Sequence, residues 1–318
     1  RRKALHAKLS GGLVLLPGND ESPANYPGNT FRFRQDSTFL YFFGLNRPGC
    51  SGLLDLDSGE DVLFGDDPTL EDIIWTGPQP SLAELAGEVG VEKTQSAAHL
   101  QKRIEAAVAK GRRILFLPPY RGETRSTMSR LLGIRADRLA SYASAELARA
   151  VVALREVKEP AEIEEIERAC ETAGKMHRLA MRICRPGITE REIAGAIEGV
   201  ALQHGAGVSF PAIVTQHGET LHNHDYDHVL QSGRLMLIDA GAETAMNYCS
   251  DFTRTFPVNG RFTGRQKDVY DIVLAANDRT FELAGPDTFY YRMHNEASMV
   301  IAEGLKSLGL MRGNMQDA

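Results

Sequence analysis

Short apolar runs that alternate with helical stretches are the feature that most constrains the fold of this chain. Each run is bounded by glycine, proline or aspartate, as buried strands are, and the runs cover residues 12–16, 52–56, 61–64 and 114–117. Between them, residues 82–90 and 98–109 have helical patterns. Strands that alternate with helices predict an α/β domain, which we place at residues 1–150.

The second half of the chain begins with a long amphipathic helix. Apolar residues recur three or four positions apart over residues 159–183, with charged residues between them. Thr189 and Glu192 then have capping-box spacing, as do Thr263 and Gln266 further along, so each pair predicts a helix start. The strands predicted between these two helix starts lie around residues 210–214, 235–238 and 249–258.

The length and composition bound the domain count and the partners. A chain of 318 residues suits two domains, residues 1–150 and 151–318, each with its own core. The net charge of −6, with acidic and basic residues interspersed, argues against a nucleic-acid partner. No apolar run approaches bilayer length, so no membrane partner is expected. Four widely separated cysteines predict a cytoplasmic protein without disulfide bonds.

Two aspartates are the candidate ligands of a metal site. Asp239 follows the apolar run Leu235 to Ile238, and a carboxylate on a buried strand needs a compensating partner. A turn about Ala245 would fold the neighbouring strands into a hairpin in which Asp239 lies directly opposite Asp251. Like charges facing each other destabilise a sheet, whereas a hard divalent cation between the two carboxylates would convert this repulsion into binding.

A purely structural interpretation of the same residues stays open at this point. Asp239 could end its strand at a turn, and Asp251 could pair with Arg254. Three histidines precede the strand, but their spacing does not match a helical zinc motif, so ligation by His224 or His228 is the weaker hypothesis. The absence of an elbow motif or an identifiable base partner disfavours a serine or cysteine nucleophile.

Residues 235–241 and 250–263 closely resemble a hairpin of the "pita-bread" metallopeptidases. That family contains aminopeptidase P, prolidase, creatinase and methionine aminopeptidase, and its hairpin supplies the first two metal-binding aspartates, here Asp239 and Asp251. The resemblance implies an α/β (α+β) fold, with a creatinase-like N-terminal mixed-sheet domain followed by the first half of a pita-bread catalytic domain. The segments that resemble the N-terminal domain of aminopeptidase P are residues 26–27, 33–37, 41–44 and 74–77.

The resemblance also implies further site residues. His222, seventeen residues before Asp239, lies where the family has a histidine that contacts the substrate and stabilises the transition state. Arg155 lies in the segment that joins the two domains, near the mouth of the active site. Trp75 corresponds to a tryptophan that can reach the active site of a neighbouring subunit, although a core aromatic residue is the structural alternative.

An Xaa-Pro aminopeptidase is therefore the implied function, an enzyme that releases the residue preceding proline from a peptide. The resemblance implies two divalent ions, with Mn²⁺ favoured over Co²⁺ or Zn²⁺, and a homodimer or homotetramer. Prolidase, which accepts only dipeptides, is an alternative that the fuller N-terminal domain disfavours. An inactive peptide-binding or interaction module of the same fold is another, and the presence of both aspartates argues against it.

Three departures from the family pattern bear on these expectations. Thr38 stands where relatives often have aspartate, and the loop between Asp239 and Asp251 is one residue longer than usual. The HGxxH-type histidine and the two glutamates that complete the family's site are expected beyond Ala318. Because two aspartates offer too few oxygens for two coordination shells, the 318-residue chain alone is expected to be inactive.

Overall fold

The computed structural model describes residues 1–314 and divides into two compact units, Arg1–Lys158 and the part that begins at Glu159. The sequence placed this boundary a few residues earlier. The helix Ala145–Arg155 belongs to the first unit because its apolar side is buried in the core of that unit. The last four residues of the domain predicted at 151–318 lie outside the described residues.

Within the described residues, the first unit is built on a five-stranded mixed sheet and a separate short hairpin. Its strands are β1 (Leu13–Pro17), β2 (Pro23–Tyr26), β3 (Asn29–Thr30), β4 (Ser51–Asp55), β5 (Glu60–Phe64), β6 (Lys93–Gln95) and β7 (Ile114–Leu115). Its helices are α1 (Arg2–His6), α2 (Ser37–Phe43), α3 (Leu70–Thr76), α4 (Leu82–Glu88), α5 (Ala97–Ala109), α6 (Gly122–Leu132), α7 (Leu139–Tyr142) and α8 (Ala145–Arg155).

The five-stranded sheet is buried on both faces, which explains the continuous apolar runs in the sequence. Its order is β6-β5-β4-β1-β7, antiparallel at the centre and parallel at both edges. In β1, Val14 and Leu16 belong to one apolar cluster, while Leu13 and Leu15 belong to another on the opposite face. The predicted α/β fold class is therefore confirmed in this unit.

Helix α2 is an element that the sequence did not predict. Its seven residues are mostly aromatic, so they show no alternation of polar and apolar faces. Asp36 begins the helix, because its Oδ1 accepts hydrogen bonds from the backbone N–H groups of Thr38 and Phe39, both at 2.9 Å. The rings of Phe39 and Phe43 stack with their centroids 5.1 Å apart in the core. Local capping and tertiary packing together form this helix.

A nearly buried ion pair ties the sheet of the first unit to the end of α5. Asp55, which is 6% exposed, accepts hydrogen bonds from Arg112 at 2.5 and 3.0 Å and from the N–H groups of Asp57 and Ser58. Burial acts to raise the pKa of Asp55, but these hydrogen bonds outweigh it and hold the pKa below its usual value. The ionised carboxylate therefore stabilises the folded unit.

Replacing Arg112 with glutamine is expected to destabilise the first unit by about 2 kcal/mol at neutral pH. Because the folded-state pKa of Asp55 is lowered, its contribution is present above the unfolded-state pKa and is lost as the pH falls through the folded-state value. The difference between the two proteins should therefore shrink under acid conditions. Urea unfolding read by hydrogen exchange over residues 51–64 measures it.

The exposed pair between Arg135 and Asp137 provides the matched control. Their side chains are 82% and 58% exposed, so Arg135→Gln should change the stability by less than about 0.5 kcal/mol. Equal losses for Arg112→Gln and Arg135→Gln would show that burial adds nothing to the first pair.

The second unit has a helical pair, a small antiparallel sheet and a second helical pair. Its helices are α9 (Pro160–Ile183), α10 (Glu190–His204), α11 (Gly264–Leu283) and α12 (Tyr290–Ser307). Its strands are β8 (Gly207–Val208), β9 (Ile213–Thr215), β10 (Leu235–Ala240), β11 (Ala242–Glu243) and β12 (Phe252–Pro257). Both predicted capping boxes are present, at the starts of α10 and α11. Among the described helices, none is long and apolar enough to cross a membrane.

The three-stranded sheet of the second unit has the order β12-β10-β9 and two different faces, while β8 and β11 pair with each other separately. Along β10, Met236, Ile238 and Ala240 are buried with apolar residues of α9 and α10. The intervening residues, including Asp239, point to the opposite face and are only partly buried. The strand thus holds its carboxylate away from the apolar core.

Candidate metal centre

The hairpin that carries both aspartates has a register different from the predicted one. β10 and β12 pair so that Asp239 lies opposite Thr253, and the predicted pairing of Asp239 with Asp251 is wrong. The reason is the turn, which closes with a 2.9 Å bond from the N–H of Thr244 to the carbonyl of Tyr248 and is centred one residue later than predicted. This shift moves the pairing by two positions, which leaves both aspartates on the same face.

Gly241 lies across the hairpin from Asp251 in this register and allows an unusually close backbone approach. A Cβ atom there would lie 1.8 Å from the carbonyl oxygen of Ser250 and 2.4 Å from Oγ of Ser209. Ser209 Oγ donates to that carbonyl at 2.8 Å, while Ser250 Oγ donates to the carbonyl of Ala169 at 2.9 Å. The residue that precedes Asp251 is therefore fixed from both sides.

The two carboxylates lie close enough to interact electrostatically. Loss of solvent around its carboxyl group raises the pKa of Asp251, and the negative charge of Asp239 raises that pKa further. Oδ1 of Asp239 is buried without a hydrogen-bond partner among the described residues. A buried carboxylate oxygen without a donor is costly, so a positively charged partner would stabilise this pair.

Arg254 does not supply that positive charge. Its Nη1 donates to the carbonyl of Thr253 at 2.7 Å, and its guanidinium lies 5.7 Å from the centre of the Phe252 ring. No ion pair joins Arg254 to Asp251 in the part of the chain that the structure describes. The purely structural interpretation of Asp251 is therefore not observed.

His177 is a residue near the aspartates that the sequence did not single out. It lies on α9, is 5% exposed, and its Nε2 lies 3.3 Å from the carbonyl oxygen of Ala240, next to Asp239. Burial lowers the pKa of His177, which favours the neutral ring. Its place on the apolar side of an amphipathic helix is typical of a core residue, so the sequence pattern contained no signal for this contact.

The three histidines that precede β10 do not join the aspartates. His222 and His224 are exposed, and His228 Nδ1 lies 2.9 Å from Oε2 of Glu190. Within residues 1–314, no group of three or more His, Cys, Asp or Glu side chains is arranged to hold a metal ion. Metal ligation by His224 or His228 therefore has no support in the geometry.

The other predicted site residues belong to the first unit. Trp75 lies on α3 with its side chain 80% exposed, so it is not a core residue. Arg155 is the last residue of α8, and its guanidinium lies 5.6 Å from the centre of the Tyr41 ring. Contacts of Trp75 and Arg155 with the aspartate pair remain predictions.

The aspartate pair fits part of a divalent-metal site. Carboxylate oxygens are the ligands that hard divalent ions prefer, and a cation would satisfy the unpartnered oxygen of Asp239 while relieving its repulsion from Asp251. Two carboxylates do not fill one coordination shell, and still less two. A complete site therefore needs ligands besides this pair.

Comparisons with known proteins show which families the two parts of the chain match. Residues 164–315 match the family described as metallopeptidase family M24, and residues 1–116 match the N-terminal domain of aminopeptidase P. The Xaa-Pro aminopeptidase of Escherichia coli (strain K12) is 29% identical over 331 residues, which covers 100% of this chain and 74% of the relative. A probable Xaa-Pro aminopeptidase of Sordaria macrospora is 28% identical, with 94% of this chain and 51% of that protein covered.

Solved structures of aminopeptidase P are also similar to this chain. The Pseudomonas aeruginosa aminopeptidase PepP superposes with a TM-score of 0.87 at 27% identity, over 99% of this chain and 74% of that one. Zinc-substituted E. coli aminopeptidase P in complex with product superposes with a TM-score of 0.86 at 28% identity, again over 99% and 74%. The predicted combination of an N-terminal mixed-sheet domain with a pita-bread domain is confirmed.

The hairpin with its two carboxylates and the match over residues 164–315 define a metallopeptidase. With the N-terminal match added, the chain belongs to metallopeptidase family M24, in its aminopeptidase P branch. The expected metalloaminopeptidase is thereby confirmed at family level, and the relatives named above are aminopeptidases and not dipeptidases. Membership of this family implies a divalent metal cofactor.

Proposed function

We propose that the full-length protein releases the N-terminal residue that precedes proline from peptides, in a metal-dependent hydrolysis. The observation that carries this proposal is the pair of carboxylates, Asp239 and Asp251, on one face of a hairpin in the unit that matches family M24. The names of the relatives supply the substrate class, peptides with proline at the second position. The aspartate pair also argues against an inactive interaction module, because such a module has no use for two repelling carboxylates.

Asp239 and Asp251 are the proposed metal ligands, and Mn²⁺ is the proposed ion at each of two positions, with Co²⁺ or Zn²⁺ as alternatives. When bound, such ions supply a water of lowered pKa for attack on the carbonyl that precedes proline. The proposed role of the two aspartates is to hold the ions at a fixed place. The close approach at Gly241 and the hydrogen bond of Ser250 fix the backbone that carries Asp251. Ligands from other residues complete the shells.

His222 is the proposed catalytic residue on the substrate side. Its imidazole would donate a hydrogen bond to the developing oxyanion or to the scissile amide, and it is also the proposed contact for the bound peptide. The exposed position of His222 leaves its ring accessible to a ligand from solvent. Arg155 is the proposed substrate-binding residue at the mouth of the site.

Trp75 supports the proposal of a homodimer or homotetramer. The short helix α3 buries none of its residues within the described chain. Its apolar side chains Leu70, Ile74 and Trp75 are each more than two-thirds exposed. A small, well-capped helix that presents apolar side chains to solvent is typical of a protein interface. We propose that Trp75 binds substrate in the active site of a neighbouring subunit.

The four cysteines are all free, which supports a cytoplasmic location.

A peptidase assay tests the proposed function. The full-length protein, stripped of metal and then supplied with Mn²⁺, is expected to release Xaa from Xaa-Pro-Yaa at least ten times faster than from Xaa-Pro or Xaa-Ala-Yaa. Removal of the metal by a chelator should abolish the activity, and Mn²⁺ should restore it. Product release is followed by chromatography.

The outcomes of this assay separate the alternatives. Faster cleavage of the dipeptide Xaa-Pro would identify a prolidase instead. If none of the three peptides is cleaved with Mn²⁺, Co²⁺ or Zn²⁺, both the aminopeptidase and the prolidase hypotheses are excluded. The inactive interaction module then remains. Asp227→Asn, a change at an exposed aspartate, is a control that should leave the rate unchanged.

A further inference from the structure

A buried polar cluster lies in the second unit apart from the aspartate pair. Its centre is Glu190, the first residue of α10, whose side chain is fully buried although it ends in a carboxyl group. Oε1 of Glu190 accepts hydrogen bonds from Thr215 Oγ1 at 3.1 Å and from the N–H of Gln216 at 2.8 Å. A buried carboxylate is tolerated only when it is well hydrogen-bonded, and the helix N-terminus adds to its stabilisation.

Thr215 extends this cluster toward His222. Besides donating to Glu190, its Oγ1 accepts a hydrogen bond from Nδ2 of Asn223 at 3.2 Å. Asn223 is the neighbour of His222 in sequence, and its Oδ1 accepts from the N–H of Asp225 at 3.0 Å. A continuous path of hydrogen bonds therefore leads from the buried carboxylate to the backbone that carries His222.

The far end of the same segment returns to the same carboxylate. Nδ1 of His228 lies 2.9 Å from Oε2 of Glu190, and the N–H of Glu190 donates to the carbonyl of His228 at 3.1 Å. Nε2 of Gln216 donates to the carbonyl of Val229 at 2.9 Å, which closes the segment at its base. Residues 216–229, here called the histidine segment, are thus held at both ends and in the middle by one network.

We propose that Glu190, Thr215 and Asn223 are positioning residues that set the orientation of His222 toward the substrate. This proposal rests on the proposed function, in which His222 contacts the reacting amide. An exposed side chain on a segment without regular secondary structure loses catalytic efficiency when its backbone moves, because a misplacement of about 1 Å costs up to 100-fold in rate. The buried network restricts that movement without its members having to touch the substrate.

The variant Thr215→Val tests the proposal with little change in volume or strand propensity. It removes the hydroxyl that joins Glu190 to Asn223 and should lower kcat for Xaa-Pro-Yaa about ten-fold in the full-length protein with Mn²⁺. In a protein that already carries His222→Ala, the same substitution should lower kcat less than two-fold. A merely structural role would reduce activity equally in both backgrounds.

Hydrogen exchange provides a second measurement that does not depend on activity. Thr215→Val and Asn223→Ala should each speed amide exchange over residues 216–229 at least several-fold, while exchange in α9 stays as in the parent. Asn223→Ala keeps the test valid if Thr215→Val folds poorly. The matched control is Asp227→Asn, which breaks the exposed ion pair between this residue of the segment and Arg191 of α10, and should change neither exchange nor kcat.

Each outcome bears on a different claim. The positioning role would be overturned if Thr215→Val and Asn223→Ala both left kcat and amide exchange unchanged. It would also be overturned if Thr215→Val lowered the rate equally with and without the His222 side chain. A parent protein that cleaves no Xaa-Pro-Yaa peptide would instead remove the proposed function. In that case the exchange measurement still decides whether the network restrains the histidine segment, and unchanged exchange would refute that restraint.

Discussion

Replacing Asp239 with asparagine is expected to abolish turnover of Xaa-Pro-Yaa and, at the same time, to stabilise the metal-free protein. The substitution removes a ligand charge, so Mn²⁺ affinity should fall by on the order of 100-fold or more. Without metal, however, it relieves the repulsion between Asp239 and Asp251, because a neutral amide replaces the carboxylate whose Oδ1 has no hydrogen-bond partner among the described residues. A gain of about 0.5 kcal/mol is expected, since like charges on neighbouring strands cost about that much.

Thermal unfolding of the full-length protein with and without Mn²⁺ measures both effects. Metal that binds only the folded state raises the unfolding temperature of the parent, and this rise should disappear in Asp239→Asn. An equal metal-dependent rise in both proteins, or normal peptidase activity of the variant, would refute the metal assignment. A variant less stable than the parent in the absence of metal would show that the carboxylates do not repel each other.

Replacing Gly241 with alanine is expected to disrupt the metal centre without altering any ligand. A Cβ atom 1.8 Å from the Ser250 carbonyl oxygen cannot be accommodated, so the backbone before Asp251 has to move. We expect a loss of about 2 kcal/mol in stability, as for an overpacked core. Mn²⁺ affinity and kcat should each fall by at least ten-fold, because the second carboxylate moves with Ser250.

Gly199→Ala is the control for this substitution. Gly199 lies on the exposed side of α10, where an added Cβ would meet nothing within 4 Å, so alanine should stabilise the helix by about 0.5 to 1 kcal/mol. Metal titration by calorimetry, together with urea unfolding, compares the two variants. A Gly241→Ala protein that binds Mn²⁺ as tightly as the parent would contradict the role of the close backbone approach.

The capping boxes and the apolar runs could be predicted because they depend on neighbours in sequence. Thr189 and Glu192 exchange hydrogen bonds over three residues, so their spacing alone indicates the start of α10. Glu190 lies between them and looks like an ordinary acidic residue of a first helical turn. Its burial against Thr215 depends on how β9 packs on the helix, which no local pattern encodes.

The candidate site shows the same division between local pattern and tertiary contact. The sequence by itself singled out Asp239 as a candidate, since an acidic residue after an apolar run is a local signal, and it added Asp251 through the predicted hairpin. The tertiary structure decided their register, because a turn centred one residue later shifts every pairing in the hairpin by two. It also brought His177 of α9 to the carbonyl beside Asp239. Such contacts depend on the packing of distant elements, and the sequence of either partner alone does not determine them.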